Sequence, residues 1–122
     1  MCESDRNKLN LMSPGKWEEL KAEIKNACAL FESLSPVKLR IHESGDEFIV
    51  ERVEGDWVPK HLRLEYNSLI PCVSWRCCDP NEQRGIIDFR VFNGSIFYVV
   101  GVRVTPLPEI VTVLTSCVTG AV

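Results

Sequence analysis

Apolar residues recur at intervals of three and four positions in the first third of the chain. The run comprises Trp17, Leu20, Ile24, Cys28, Phe31 and Leu34. This spacing places the apolar side chains on one face of an amphipathic helix. Ser13 and Pro14 are typical of a helix start, and Pro36 is typical of the chain beyond a helix end. The sequence therefore predicts a helix of about five turns from Ser13, preceded by a flexible tail over residues 1–12.

After Pro36 the spacing of apolar residues becomes two, which is the period of β-strands. Strands are predicted at 37–42, 47–53, 61–66, 69–77, 87–91 and 95–104. Turn-forming residues separate them, and Asn93-Gly94 is the clearest hairpin signal. Parallel strands need crossover connections of about a dozen residues, and most of these connections are shorter. The sequence therefore predicts an antiparallel meander.

The C-terminal segment 108–119 fits two interpretations. Pro108 and Glu109 are typical of a first helical turn, and Gly120 is typical of a C-terminal cap. The abundance of Val and Thr favours a strand instead. We predict a short helix. The expected fold over residues 13–122 is a single α+β domain, with the N-terminal helix packed on one face of a roughly six-stranded sheet.

Composition narrows the class of partner. The chain of 122 residues is 45% hydrophobic and 25% charged, with a net charge of −3. Nucleic acids and anionic membranes select for an excess of Lys and Arg, so neither is an expected partner. No apolar run reaches the roughly 18 residues of a membrane-spanning helix, and no signal peptide is recognisable. The predicted location is therefore cytoplasmic, with all six cysteines as thiols.

No catalytic or metal-binding motif is recognisable, so we predict a non-enzymatic protein without a cofactor. The one close cysteine cluster is Cys72, Cys77 and Cys78, and its spacing matches no zinc knuckle. Residues five apart on a strand face opposite sides, which argues against shared metal ligation. A thiol-based redox or metal sensor is a minor alternative. It would use the adjacent Cys77 and Cys78, since a positive charge such as that of Arg76 favours the reactive thiolate.

The alternation of the strands predicts a charged sheet face. If Leu39, Leu64, Trp75 and Phe89 face the helix, four arginines from four strands face the other way. These are Arg40, Arg63, Arg76 and Arg90. Acidic residues alternate with them, so one interpretation is a solvated face with cross-strand ion pairs. The other is a recognition surface, since guanidinium groups suit carboxylates, phosphates and aromatic rings.

Two further observations bear on recognition. Trp57 lies in a predicted loop, where an aromatic side chain can anchor a partner or, more commonly, fold back over an edge of the core. Apolar Ile70, Cys72, Ile86 and Phe92 fall on the nominally charged face, and a mixed face of this kind is typical of dimer or partner interfaces.

We therefore predict a small cytoplasmic binding or scaffolding module, dimeric, that uses the mixed-charge sheet face. Its candidate binding residues are Arg40, Arg63, Arg76, Arg90 and Trp57. The expected partner is another protein or a second copy of the chain. The main alternative is a small-ligand-binding or regulatory protein with a pocket between helix and sheet.

Overall fold

A computed structural model of the chain describes residues 3–53, 60–78 and 82–119. The elements in chain order are α1 (Glu3–Leu34), β1 (Leu39–Ser44), β2 (Glu47–Arg52), β3 (His61–Asn67), β4 (Cys72–Cys78), β5 (Gln83–Phe92), β6 (Ser95–Val100), β7 (Arg103–Val104) and α2 (Leu107–Thr119). The strands of the described residues form one antiparallel sheet in sequence order. The predicted α+β fold is confirmed, as is the choice of a helix at the C-terminus.

Several strand boundaries differ from the prediction, and two of the differences have a local cause in a turn. The expected single strand over 95–104 is divided, because Gly101 adopts a φ of 66° and the chain reverses there, giving a seventh strand. The fourth strand begins later than predicted because the Asn67 side chain caps a turn. Its Oδ1 accepts hydrogen bonds from the amides of Leu69 and Ile70, at 2.9 and 3.1 Å.

The start of the first helix also differs. The helix begins at Glu3, so the predicted start at Ser13 is wrong, and Pro14 lies inside the helix. Residues 3–12, predicted as a tail, are helical and contribute buried Leu9 to the core. Pro at an interior position removes one backbone hydrogen bond of the helix. Packing of the preceding helical turns against the sheet offsets this cost. The Ser13-Pro14 start signal is local and therefore gives no sign of that packing.

Both helices pack on the same face of the sheet, which we call the inner face. Helix α1 contacts β1, β5 and β6, helix α2 contacts β2, β3 and β4, and the two helices contact each other. The sheet residues most completely buried beneath them are Phe48, Val50, Leu62, Leu64, Val73, Ile87 and Phe89. Complete burial of such a side chain contributes about 1.5–3 kcal/mol. If a strand shifted by one residue relative to its neighbour, its buried side chains would turn to solvent. The packing therefore fixes the strand register.

An aromatic series joins α1 to the middle of the inner face. The ring of Trp17 stacks on Tyr66 with 5.7 Å between centroids, and the series continues to Phe89 and Tyr98 at 6.2 and 5.6 Å. The hydroxyls of Ser13 and Tyr66 form a buried hydrogen bond of 2.7 Å. Ser13 therefore pairs with a strand residue 53 positions away, and does not serve as a helix cap.

This hydrogen bond can be tested by a double-mutant cycle. Ser13→Ala leaves the Tyr66 hydroxyl buried without its partner, so we expect a loss of about 1–3 kcal/mol in the free energy of unfolding. Combining it with Tyr66→Phe removes both partners. The double variant should therefore lose less than the sum of the single variants, by about 0.5–1.5 kcal/mol. Urea unfolding measures all three free energies.

The control is Ser33→Ala, because Ser33 is exposed and its hydroxyl donates to the carbonyl of Leu30 within the same helix. Its effect should stay within about 0.5 kcal/mol. Strict additivity of the Ser13 and Tyr66 effects would show that the two hydroxyls do not interact.

Candidate functional site

The sheet face opposite the helices, the outer face, carries a line of arginines. The register pairs Arg63 on β3 with Arg76 on β4, and Arg76 with Arg84 on β5. We call Arg63, Arg76 and Arg84 the arginine row. Adjacent strands lie about 4.8 Å apart, and like charges directly opposite each other destabilise a sheet. The row therefore needs carboxylates close by.

Carboxylates on neighbouring positions supply this compensation. Glu47 forms an ion pair with Arg63. Glu82 Oε1 lies 3.0 Å from the Nε of Arg76 and 3.8 Å from the Nη2 of Arg84. All of these side chains are about one-third exposed or more, so each pair contributes only about 0.2–1 kcal/mol. The pairs balance the charge of the row but add little to stability.

A second line of residues runs beside the arginine row. The register aligns Glu47, Glu65, Ser74 and Ile86 on β2 to β5, and we call these four the mixed row. The two rows lie two residues apart along the strands, or about 7 Å. An open depression of ≈ 490 Å³ lies over the arginine row and the residues Glu65, Ser74 and Ile86. A positive line and a partly negative line therefore border one shallow concavity.

The structure brings together two of the four predicted arginines. Arg63 and Arg76 are direct cross-strand partners. Arg40 lies opposite Glu51 in a different row. Arg90 lies six positions along β5 from the arginine row, or about 20 Å. The register therefore places all four arginines on the outer face, as the alternation predicted, but only Arg63 and Arg76 adjoin each other. Their role in binding stays a prediction.

The third member of the row, Arg84, is absent from the predicted set. The predicted strand 87–91 began too late, whereas β5 begins at Gln83. Arg84 has the same parity as Arg90, so extending that strand by a few residues would have placed it on the outer face. The remaining candidate, Trp57, lies outside the described residues.

Apolar side chains share the outer face with the charges. Ile86 is 56% exposed and lies next to the arginine row. The rings of Phe92 and Phe97 contact each other with 5.9 Å between centroids, and both rings are more than one-third exposed. Exposed apolar groups rimmed by charges are typical of interaction surfaces.

A second concavity lies in the other layer, between α2 and the sheet. This α2 cleft has a volume of ≈ 330 Å³. Its apolar lining comprises Trp75, Ile87, Val100, Ile110, Val113 and Leu114. At one side Arg103 and Glu109 form a two-pronged ion pair, with nitrogen–oxygen distances of 2.9 and 3.0 Å. The alternative function predicted from the sequence requires a concavity in this position.

A disulfide bond joins Cys77 on β4 to Cys117 on α2, with 5.8 Å between Cα atoms. Cys77 is buried on the inner side of the sheet, and the prediction of six thiols is wrong for this pair. The two cysteines are 40 positions apart, so local spacing could not reveal the bond. Structural disulfides are rare in a reducing cytoplasm. The bond therefore does not support the predicted location, which stays a prediction.

The free thiols in the described part of the chain are poor nucleophiles. Burial, with a smaller contribution from the nearby carboxylate of Glu32, raises the pKa of Cys28 to about 11. Burial and the neighbouring Asp88 raise the pKa of Cys72. Since the thiolate is the reactive form, neither residue suits a redox sensor near neutral pH.

Comparison with known proteins gives no match to a family model, a curated protein or a solved structure. Among the described residues, no group of three or more His, Cys, Asp or Glu side chains could hold a metal ion. Neither helix in residues 3–53, 60–78 and 82–119 is long and apolar enough to cross a membrane. Function therefore has to be inferred from the two concavities and the exposed groups around them.

Removal of the disulfide tests how much the bond between β4 and α2 contributes to stability. A bond that closes a loop of this length stabilises a fold by about 2–4 kcal/mol. We expect Cys117→Ser to lower the free energy of unfolding in urea by this amount. Cys72→Ser is the control, since Cys72 is half-buried and free, and should cost no more than about 1 kcal/mol.

Peptide mapping provides a direct check of the same bond. Digestion of the unreduced protein should yield a linked fragment containing Cys77 and Cys117. Quantitative alkylation of both residues in denatured, unreduced protein would show that the bond is absent.

Proposed function

We propose that the chain is a non-enzymatic binding module that recognises a protein through its outer face, and that its partner is a second copy of itself. The observation that supports this proposal is the arginine row running beside the mixed row. A surface with adjacent positive and negative lines is complementary to its own rotated copy. Such a surface satisfies the requirement of a two-fold interface, in which the same patch is used twice.

The register specifies how two copies would meet. A two-fold axis parallel to the rows, and midway between them, places the arginine row of one copy over the mixed row of the other. Arg63 then faces Glu65 of the other copy, and Arg76 faces Ser74. Face-to-face sheets pack about 10 Å apart, a distance that Arg and Glu side chains can span together.

Apolar residues supply the affinity in this arrangement. Charge pairs across an interface mainly set orientation and specificity, because their desolvation offsets much of their attraction. Ile86 belongs to the mixed row and is 56% exposed in the single chain. Its burial in both copies gives a driving force that the ion pairs alone lack.

A charge exchange tests the proposed orientation. Arg63→Glu places a negative charge over Glu65 of the other copy, and Glu65→Arg places two positive charges together. Each single variant should therefore remain monomeric where the wild type dimerises. An equimolar mixture of the two variants restores opposite charges at both contacts, so it should form a heterodimer. Light scattering reports the mass, against a chain mass of 13.8 kDa.

The matched control is Lys25→Glu on α1. Lys25 is 45% exposed and ion-paired, as Arg63 is at 47%, but it lies in the helical layer. This variant should dimerise like the wild type. A wild type that stays monomeric at high concentration would refute self-association. Single variants that dimerise normally would refute the outer face as its site.

A further inference from the structure

We propose that the α2 cleft is a binding site for a free α-amino acid with an apolar side chain. The cleft lies in the helical layer, on the opposite side of the sheet from the outer face. The proposal is therefore independent of self-association, and either can fail without the other.

The floor and wall of the cleft suit an apolar side chain. Ile87, Ile110 and Leu114 form a floor that is almost fully buried. Trp75 forms a wall and lies directly over Gly85, where a Cβ atom would stand 2.7 Å from the indole Nε1. Glycine at this position therefore allows the indole to lie flat on β5. An aromatic or branched aliphatic group can pack between this ring and the floor.

The rim of the cleft is also apolar and open to solvent. Val100 is 41% exposed and Val113 is 56% exposed, although both line the cleft. A ligand seated between them would remove this apolar surface from water. The volume of ≈ 330 Å³ lies at the lower end of the range of about 300–1,000 Å³ seen for small-molecule sites.

The charged side chains at the mouth of the cleft indicate which charged groups the ligand should carry. The guanidinium of Arg103 and the carboxylate of Glu109 lie 2.9 Å apart, so one positive and one negative group stand side by side. A ligand with a single charge would meet a like charge next to its partner. An α-amino acid carries a carboxylate and an ammonium group on the same carbon atom. Its carboxylate can face Arg103 while its ammonium group faces Glu109.

The existing ion pair does not block this exchange. Arg103 is 66% exposed and Glu109 is 44% exposed, so water screens the pair and a ligand can reach both groups. Opening the pair exchanges its two hydrogen bonds for contacts of Arg103 with the ligand carboxylate and of Glu109 with the ligand ammonium group. The backbone at this point is held in place, since the hydroxyl of buried Thr105 donates to the carbonyl of Arg103 at 3.0 Å.

The test uses three probes that share one phenyl ring: L-phenylalanine, 3-phenylpropanoate, which lacks the ammonium group, and phenethylamine, which lacks the carboxylate. Titrations are followed by amide chemical shifts in two-dimensional NMR spectra. L-phenylalanine should bind with a Kd of about 1 mM or lower, with shifts concentrated in residues 100–114. Each single-charge probe should bind about tenfold more weakly or worse.

Two variants then assign the charges. Arg103→Gln should weaken binding of L-phenylalanine about tenfold or more. Glu109→Gln should weaken L-phenylalanine and phenethylamine but strengthen 3-phenylpropanoate, because the like charge is removed. Lys25→Gln on α1 also removes an exposed positive charge but lies away from the cleft, so it is the control and should leave all three affinities unchanged.

Three results would overturn the proposal. One is the absence of saturable shifts at the cleft with L-phenylalanine. Another is equal affinity for L-phenylalanine and one of the single-charge probes. The third is a loss of L-phenylalanine binding that is the same for Lys25→Gln as for Arg103→Gln. The variant residues are exposed, so folding is retained, and the spectra themselves confirm it.

Discussion

Burial of a single face of the antiparallel sheet beneath two helices fixes the position of the other sheet residues. Helix α1 is attached through the stacked rings of Trp17 and Tyr66 and through the buried hydrogen bond between Ser13 and Tyr66. Helix α2 is attached through the disulfide between Cys77 and Cys117. Because strand side chains alternate with a period of two, these inner contacts also determine which residues reach the outer face. Both candidate sites follow from this constraint: the outer face because it is left uncovered, and the cleft because α2 covers its part of the sheet incompletely.

The arginine row is the part of the sheet that stability alone explains least. Three guanidinium groups on adjacent strands oppose sheet formation, and the half-exposed carboxylates around them return little free energy. Apolar pairs at the same positions would have strengthened the sheet. In the proposed dimer, the positive row beside the partly negative row would favour the orientation of the second copy that avoids opposing like charges.

Periodicity was sufficient to predict the helices, the antiparallel meander and the inner face, because these depend on local alternation. It failed where a distant contact overrides a local signal. Ser13 is typical of a helix cap, yet it lies inside a longer helix and its hydroxyl bonds to Tyr66 on β3. Cys77 pairs with Cys117 across 40 positions. At the site, parity correctly placed Arg40, Arg63, Arg76 and Arg90 on the outer face. Which of them adjoin depends on the strand register, which parity does not give. Arg84 was missed because the fifth strand was predicted to begin at residue 87, whereas it begins at Gln83.

In the proposed dimer the outer face, and no other surface, joins the two copies of the chain. Isotope-filtered nuclear Overhauser spectroscopy on a mixture of labelled and unlabelled protein can test this arrangement, because it detects only contacts between copies. We expect intermolecular contacts among residues of the arginine row and the mixed row, with Ile86 close to Arg84 of the other copy. Intermolecular contacts that involve α1, α2 or the edge strands, and none from the two rows, would refute the arrangement.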